Sequence, residues 1–260
     1  MVLETLCALG IALQFSAPQA QTELIASSVG VQPGKPFRIA MHMTMAPGWH
    51  SYYINPGESG AATSIVWHLP PGFKAGPIQW PVPTRLVVGG VAGYVYEKEV
   101  WLITEITPAS AIPNDEPVRI GADVSWLLCR EACVPQKYKL SLSLPLTRTF
   151  SPNPAYERIS EIQSKASPTL RIKASIEKNA AFLAVTGRFS ALEDVRFFPA
   201  DATYFGADLS QVRSTPTGIN LVVPLSKYAP GAPKRVAGIL VVPSGSEKGA
   251  HWIDVAVTKR

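Results

Sequence analysis

Long apolar stretches are missing from this 260-residue chain, because no apolar run reaches the 18 or more residues of a clear membrane span. Charged residues are scarce at 17%, whereas 47% of the residues are hydrophobic, which excludes a disordered or fibrous chain. The net charge of +5 comes from dispersed residues and not from a block of Lys or Arg, so nucleic acid is not an expected partner. What is left is an apolar-rich globular protein that is long enough for two domains.

The motifs of several enzyme classes are also missing. No Gly-Lys-Ser or Gly-Lys-Thr follows Gly89, Gly90 or Gly93, which excludes a phosphate-binding loop of that type. Only four histidines are present and there is no Gly-x-Ser-x-Gly elbow, so a serine hydrolase is poorly supported. The three cysteines therefore carry the chemical argument.

Proline, by contrast, is abundant, and its 24 residues work against long helices because each one removes a backbone donor. Short extended segments between Pro and Gly predict an all-β protein made of two antiparallel sandwiches, joined by a linker with one short helix. The first-half strands are predicted at Phe37–Met45, Thr63–Leu69, Val100–Ile106, Val118–Leu128 and Lys137–Leu144. The second-half strands are predicted at Leu170–Ile176, Phe182–Thr186, Val195–Phe198, Asn220–Leu225, Val236–Val242 and Trp252–Val257.

The chain divides into four segments. Residues 1–20 resemble an export signal, with an apolar stretch and small residues before Ala20, although no Lys or Arg precedes that stretch, which would also fit an uncleaved anchor. Residues 22–147 form the first predicted sandwich, 148–167 the linker with a helix at 154–165, and 168–260 the second, smaller sandwich. Cleavage near Ala20 would remove Cys7 and leave two cysteines, an even number that suits an oxidising compartment.

Other chemistry-bearing residues have simpler interpretations. Met41, Met43 and Met45 alternate with His42, which suggests Cu(I) ligands, but methionines on one strand face are better explained as core. His50 is expected to make structural hydrogen bonds in a loop-like stretch. The aromatic residues Tyr94, Tyr96 and Trp101 either frame the cysteines or belong to the sandwich core, and Trp80 is expected to pack.

The most specific feature of the sequence is the segment Cys129-Arg130-Glu131-Ala132-Cys133. On a straight strand its two cysteines would lie about 13 Å apart, whereas a disulfide needs Cα atoms within about 7 Å. A bridge therefore requires a turn, and the position between two predicted strands favours the end of a hairpin, with Val134-Pro135 starting the return. Thiol exchange, a structural bridge and metal binding all remain compatible with the spacing.

The first half resembles the N-terminal domain of the DsbD family of bacterial thiol:disulfide interchange proteins, and it is most similar to the branch that contains the suppressor-of-copper-sensitivity protein ScsB. The similarity covers roughly residues 24–146. The matching stretches are 46–53 (APGWHSYY), 55–60 (NPGESG), 76–83 (GPIQWPVP), 93–100 and 126–135 (WLLCREACVP). The second half resembles the extra sandwich of that branch, with Phe197-Phe198-Pro199 as its best match.

The resemblance implies immunoglobulin-like sandwiches in the periplasm and a redox-active disulfide, Cys129–Cys133, with no other cofactor. Cys133 would attack and Cys129 would resolve, passing electrons between a membrane-embedded DsbD- or ScsB-type carrier and soluble thioredoxin-like proteins. Such a thiol:disulfide oxidoreductase would serve processes such as cytochrome c biogenesis or copper tolerance. A cap near Arg85–Val91, with Val87, Val88, Gly89, Tyr94 and Tyr96, would shield the pair.

This chain differs from the best-known members of the family in two ways. It has Leu86-Val87-Val88-Gly89-Gly90 where they carry an acidic-aromatic cap. It ends after the second predicted sandwich, so electrons are expected to come from a separate protein. Two alternatives stay open, namely a non-catalytic binding module with a structural disulfide and a copper-handling protein.

Overall fold

The computed structural model describes residues 19–113, 116–157, 159, 170–189, 192–242 and 248–258. The predicted export segment lies outside these ranges except for its last two residues. The strands of the first half are β1 (Ala20–Ala26), β2 (Phe37–Met45), β3 (His50–Gly57), β4 (Ser64–His68), β5 (Lys74–Gln79), β6 (Thr84–Val88), β7 (Val91–Glu97), β8 (Glu99–Thr107), β9 (Val118–Cys129) and β10 (Cys133–Leu144).

These strands form the two sheets of the first sandwich. One sheet has the order β1-β2-β8-β5, and the other has the order β10-β9-β3-β7-β6, with β4 also paired to β9. All pairings within the two sheets are antiparallel. The predicted strand Phe37–Met45 is confirmed with the same bounds.

The alternation of side chains along each strand builds the core, because successive residues project to opposite faces of a sheet. Met41 and Met43 are fully enclosed between the sheets, where they pack with Tyr53 and Leu102. Burying such a side chain stabilises the fold by about 2 kcal/mol. The core role predicted for the methionines is therefore confirmed.

The stretch that begins at His50 was expected to be loop-like, and this expectation was wrong. It forms strand β3, which pairs with β7 along one edge and meets β9 at the His50–Cys129 pair. The ladder to β7 shifts register between Tyr52 and Gly57. Pro56, Gly57 and Gly60 give this stretch a composition that is typical of loops, although the backbone of β3 is extended.

A linker with one helical turn, α1 (Pro154–Glu157), follows the first sandwich. Asn153 caps this turn, because its Oδ1 accepts a hydrogen bond from the Ala155 backbone N–H at 3.1 Å. The predicted helix start is thus confirmed, whereas its extension to residue 165 lies outside the described residues apart from Ile159. That side chain is buried in one cluster with Ala40, on the outer side of β2.

A second, smaller sandwich completes the fold. Its strands are β11 (Arg171–Glu177), β12 (Ala180–Thr186), β13 (Arg196–Pro199), β14 (Gln211–Thr215), β15 (Gly218–Pro224), β16 (Arg235–Val242) and β17 (Gly249–Ala256). They form one sheet with the order β11-β12-β15-β14 and another with the order β13-β16-β17. The predicted all-β class with two sandwiches is confirmed.

The two sandwiches share apolar contacts. Phe198 and Ile239 of the second sandwich belong to the same buried cluster as Tyr53 and Tyr94 of the first. The rings of Tyr94 and Phe198 meet edge to face, with their centroids 5.3 Å apart. Within the described ranges, no helix is long and apolar enough to cross a bilayer.

Candidate functional site

The two cysteines Cys129 and Cys133 lie at the closed end of the hairpin formed by β9 and β10. Cys129 is the last residue of β9, Cys133 is the first residue of β10, and the two are direct partners in the ladder. Their Cα atoms lie 4.1 Å apart and their sulfurs form a disulfide. The turn between them is held by a hydrogen bond of 3.2 Å from the Arg130 N–H to the Ala132 carbonyl. The turn predicted from the cysteine spacing is confirmed.

The two cysteines differ in their exposure to solvent. Cys129 is 3% exposed and packs with Tyr52 and Val95 on the outer face of the sheet. Cys133 lies on the exposed side of the hairpin end. Cys133 is therefore the more accessible of the two cysteines to another molecule.

A cavity of about 240 Å³ opens beside the disulfide. Both cysteines contribute to its wall, together with polar groups from β3 and apolar groups from the hairpin β6–β7. The lining residues are His50, Tyr52, Ser59, Leu86, Val88, Val91, Gly93, Val95, Cys129, Arg130 and Cys133.

The segment predicted as a cap, Arg85–Val91, lies in the hairpin β6–β7. Val88 lines the cavity, whereas Val87 and Gly89 do not. At the tip, Gly89 and Gly90 adopt positive φ values of 58° and 84°, and nothing lies within 4 Å of an added Cβ at either residue. The tip therefore projects into open space, while its flanks line the cavity beside the cysteine pair.

Tyr94 and Tyr96 were expected to shield the cysteines, and this expectation was wrong. Both side chains lie in the core between the sheets, because they alternate along β7 with Val95, which faces the cysteines. Trp101 lies on the other sheet, stacked on His42 with centroids 3.5 Å apart. Trp80 is buried and stacks on Tyr96, so its predicted packing role is confirmed.

His50 and Tyr52 are site residues that the sequence reasoning missed. Because His50 pairs directly with Cys129, both side chains project to the same face of the sheet. His50 Nε2 lies 3.3 Å from the Tyr52 hydroxyl, and both residues are buried. Burial lowers the pKa of His50 below 6.5, with the charge of Glu97 acting in the opposite direction, so the ring is neutral at pH 7. A strand assignment for residues 50–57 would have placed His50 and Tyr52 on the same face of a sheet.

Arg130 brings a positive charge to the edge of the cavity. Its guanidinium carbon lies 5.3 Å from the centroid of the Trp49 ring, a cation–π contact that directs the side chain. The arginine stem also passes Gly48, whose φ of +81° suits glycine. The turn residue Glu131 and the β10 residue Lys137 do not line the cavity.

The second sandwich is hydrogen-bonded to the end of β3, the strand that carries His50 and Tyr52. Asn55, which is fully buried, donates from Nδ2 to the carbonyls of Pro199 and Phe205, both at 3.0 Å. Its Oδ1 accepts the Gly57 N–H at 3.0 Å, which fixes the irregular end of β3. One side chain thus connects the segment beyond Tyr52 to the second sandwich.

The base of the cap hairpin is held in the same way. Arg85 Nε donates to the Ala207 carbonyl at 2.6 Å, and the Tyr94 hydroxyl donates to the Asp208 carbonyl at 3.3 Å. At the tip, no atom of the described residues lies within 4 Å of a Cβ added to Gly89 or Gly90. The second sandwich therefore restrains the base of the hairpin and leaves its tip free.

The strand with the Met-His-Met pattern does not form a metal site in the described residues, where no group of three or more His, Cys, Asp or Glu side chains is placed to hold an ion. The sulfurs of Met41 and Met43 are enclosed in the core. His42 faces away from them and bonds to Glu23 at 3.2 Å and Glu99 at 3.0 Å.

The disulfide thus lies at the end of a hairpin on an immunoglobulin-like sandwich. A model of the family described as "Thiol:disulfide interchange protein DsbD, N-terminal" matches residues 16–145. The chain belongs to this family, and its disulfide fits thiol–disulfide exchange at the family level. No curated protein sequence matches the chain significantly.

Solved structures extend the similarity to the second sandwich. The N-terminal periplasmic domain of ScsB from Proteus mirabilis is similar over 94% of this chain and 95% of its own, with a TM-score of 0.67 and 17% identity. At that identity the likeness shows the fold. The major pilin subunit BcpA from Bacillus cereus matches with a TM-score of 0.31 and 7% identity, over 92% of this chain and 67% of its own, which is too low to indicate a shared fold.

Proposed function

We propose that this protein is a periplasmic thiol:disulfide oxidoreductase module in which Cys133 attacks and Cys129 resolves. The observation that carries the proposal is the unequal exposure of the two cysteine residues, with Cys133 exposed and Cys129 at 3% exposure. An attacking thiolate must reach a sulfur of another protein, whereas a resolving thiolate needs to reach only its neighbour.

The proposed reaction moves two electrons. The Cys133 thiolate attacks a partner disulfide, which forms a mixed disulfide and releases one partner thiolate. The Cys129 thiolate then attacks the Cys133 sulfur, which closes the bridge and releases the second partner thiolate. The partner gains two thiols, and this chain changes from dithiol to disulfide. The reverse sequence reduces this chain.

The small size of the closed loop supports exchange over a purely structural purpose. A bridge that closes a loop of about five residues restricts the unfolded chain by roughly 2 kcal/mol, less than half the value for a loop of a hundred residues. The strands β9 and β10 are already paired over twelve residues each, so the hairpin does not depend on this bond.

The cap hairpin has a proposed shielding role. Leu86, Val88 and Val91 line the cavity beside the disulfide, and an apolar cover limits the access of small oxidants and reductants. Since the tip is free and the base is anchored, a docking partner would displace the tip alone. Val87, Val88 and Val91 are exposed, which leaves an apolar surface for such a partner.

The proposed electron donor is a membrane-embedded carrier of the DsbD or ScsB type, and the proposed acceptors are soluble thioredoxin-like proteins. Family membership supports this assignment. The fold shared with a domain described as periplasmic, and two cysteines joined in a disulfide, support the periplasm as the compartment.

A redox titration tests this proposal. The purified protein is equilibrated with glutathione or dithiothreitol buffers of known potential, and its free thiols are counted by mass after alkylation. The reduced protein is then mixed with oxidised protein disulfide isomerase, an acceptor with a potential of about −180 mV. We expect a potential between about −300 and −180 mV for this protein and two-electron transfer to the isomerase. A potential below about −300 mV with no transfer would instead support a binding module with a structural bridge.

A further inference from the structure

Closing the bridge requires Cys129 to lose a proton in a buried place. The exchange reaction uses the thiolate, and an apolar environment disfavours that charged form. Cys129 is 3% exposed and packs with Tyr52 and Val95, so bulk water has little access to its sulfur. A proton acceptor inside the protein would remove this obstacle.

His50 is the residue in position to accept that proton. It is the direct cross-strand partner of Cys129, and residues in such pairs have Cβ atoms about 4.5–5.5 Å apart on the same face. Both side chains line the same cavity. When the ring carries its proton on Nε2, that N–H donates to the Tyr52 oxygen at 3.3 Å and leaves Nδ1 free to act as a base.

We propose that His50 is the proton acceptor for Cys129 during the resolving step. The inference rests on the proposed exchange function and assigns a residue to one of its two steps. The Cys129 thiol gives its proton to the neutral imidazole, and the resulting thiolate attacks the Cys133 sulfur. The bond between Cys133 and the partner breaks, and the partner thiolate leaves with the electron pair. The imidazolium then returns its proton to the leaving thiolate or to water.

The groups around His50 are consistent with this role. Tyr52 on the same strand is protonated, because burial raises its pKa, although a hydrogen bond with Ser59 acts in the opposite direction. Glu97, the ladder partner of His50 on β7, favours the imidazolium once it has formed. The remaining titratable or charged groups in the lining are Cys129, Arg130 and Cys133. Burial keeps the imidazole neutral at pH 7, which a proton acceptor requires.

The two steps can be observed separately with 5,5′-dithiobis(2-nitrobenzoate). The reduced protein releases one thionitrobenzoate when Cys133 attacks, at a rate that depends on reagent concentration. It releases a second when Cys129 resolves, at a rate that does not. Stopped-flow absorbance therefore reports attack and resolution as two phases. In the wild type we expect both phases, and we expect the second to slow below pH 6.5 as the imidazole becomes protonated.

The variant His50→Gln tests the assignment. We expect its second phase to be at least tenfold slower at pH 7 than in the wild type, and its first phase to change less than threefold. The second phase of the variant should rise with pH up to the pKa of the buried thiol, because hydroxide then has to remove the proton. His42→Gln is the matched control, since His42 lies on the other sheet and both phases should match the wild type. Circular dichroism and thermal melts establish that each variant is folded.

Three outcomes would overturn the inference. A second phase in His50→Gln with the wild-type rate and pH profile would show that His50 takes no proton. An equal slowing of both phases would indicate a structural effect. A wild-type second phase that does not slow at acidic pH would contradict the inference without any variant. If the wild type releases fewer than two thionitrobenzoates, the exchange function fails as well, which separates the two failures.

Discussion

Gly60 lies directly against the ring of Tyr52. A Cβ added to Gly60 would lie 2.3 Å from the Cε1 atom of Tyr52, a distance that requires one of them to move. The φ of Gly60 is +105°, a conformation that residues with a side chain rarely adopt. Because Tyr52 bonds to His50 and lines the cavity, this contact fixes one wall of the site.

The variant Gly60→Ala should therefore displace Tyr52 and destabilise the protein. We expect a loss of about 3 kcal/mol in the free energy of unfolding, from backbone strain and steric overlap together. Gly34→Ala is the control, since Gly34 has a φ of +70° and its added Cβ would lie at an ordinary 3.6 Å from Ser110. Urea denaturation measures both, and equal losses in the two variants would contradict the packing argument.

Asn55→Ala should weaken the contact between the sandwiches. The change removes three hydrogen bonds, which leaves the carbonyls of Pro199 and Phe205 and the Gly57 N–H without this partner. We expect a loss of about 3 kcal/mol in the free energy of unfolding, because buried polar groups left without a partner are costly.

The control for Asn55→Ala is the exposed Asn179→Ala, which should change the free energy of unfolding by less than about 0.5 kcal/mol. Limited proteolysis adds a second measurement. Faster cleavage of the cap hairpin in Asn55→Ala than in wild type is expected if the second sandwich supports the cavity. Unchanged stability and cleavage would show that the connection has no structural effect.

Arg130→Gln should reduce the reactivity of the reduced cysteine pair. Arg130 lines the cavity beside both sulfurs, and a cation near a thiol lowers its pKa. We expect alkylation of Cys133 by iodoacetamide at pH 7 to slow by about threefold, a modest effect because the guanidinium is exposed to solvent. Lys137→Gln provides the comparison with equal charge loss outside the cavity wall and should react as the wild type. Equal slowing in both variants would point to net charge and not to position.

Stability should depend on pH through His50. Since burial lowers its folded-state pKa below 6.5, the unfolded chain binds a proton between the two pKa values that the folded chain does not bind. The stabilisation is complete above about pH 6.5 and is lost as the pH falls toward the folded-state value. Denaturant midpoints measured from pH 7.5 to 5 should therefore fall less in His50→Gln than in the wild type. Parallel curves would contradict the buried neutral histidine.

The sequence predicted the fold where periodicity was strong. Alternating apolar residues identified Phe37–Met45, and the two cysteines required a turn that the structure contains. Strand β3 was missed because its ladder shifts register after Tyr52 and continues through Pro56 and Gly57, which are typical of loops.

The residues that line the site were harder to predict, because strand β3 was missed. Without β3 as a strand, the sequence contains no indication that His50 pairs with a cysteine 79 positions away. The sequence left Tyr94 and Tyr96 open between the cysteine face and the core, because a tyrosine ring with its hydroxyl suits either side; the structure places both in the core. Contacts such as that of Asn55 with Phe205 depend on how two separate sandwiches dock, which local patterns do not encode.

The most direct test of the exchange mechanism uses single-cysteine variants. Cys129→Ser and Cys133→Ser are each reduced and mixed with a thioredoxin variant that keeps one active-site cysteine, activated as its thionitrobenzoate mixed disulfide, so that thionitrobenzoate leaves and no second thiol can reverse the reaction. The products are quenched with acid and examined by non-reducing electrophoresis and mass spectrometry. The account predicts a stable one-to-one mixed disulfide through Cys133 in the Cys129→Ser protein and almost none in the Cys133→Ser protein. A stronger adduct through Cys129, or none from either variant, would contradict it.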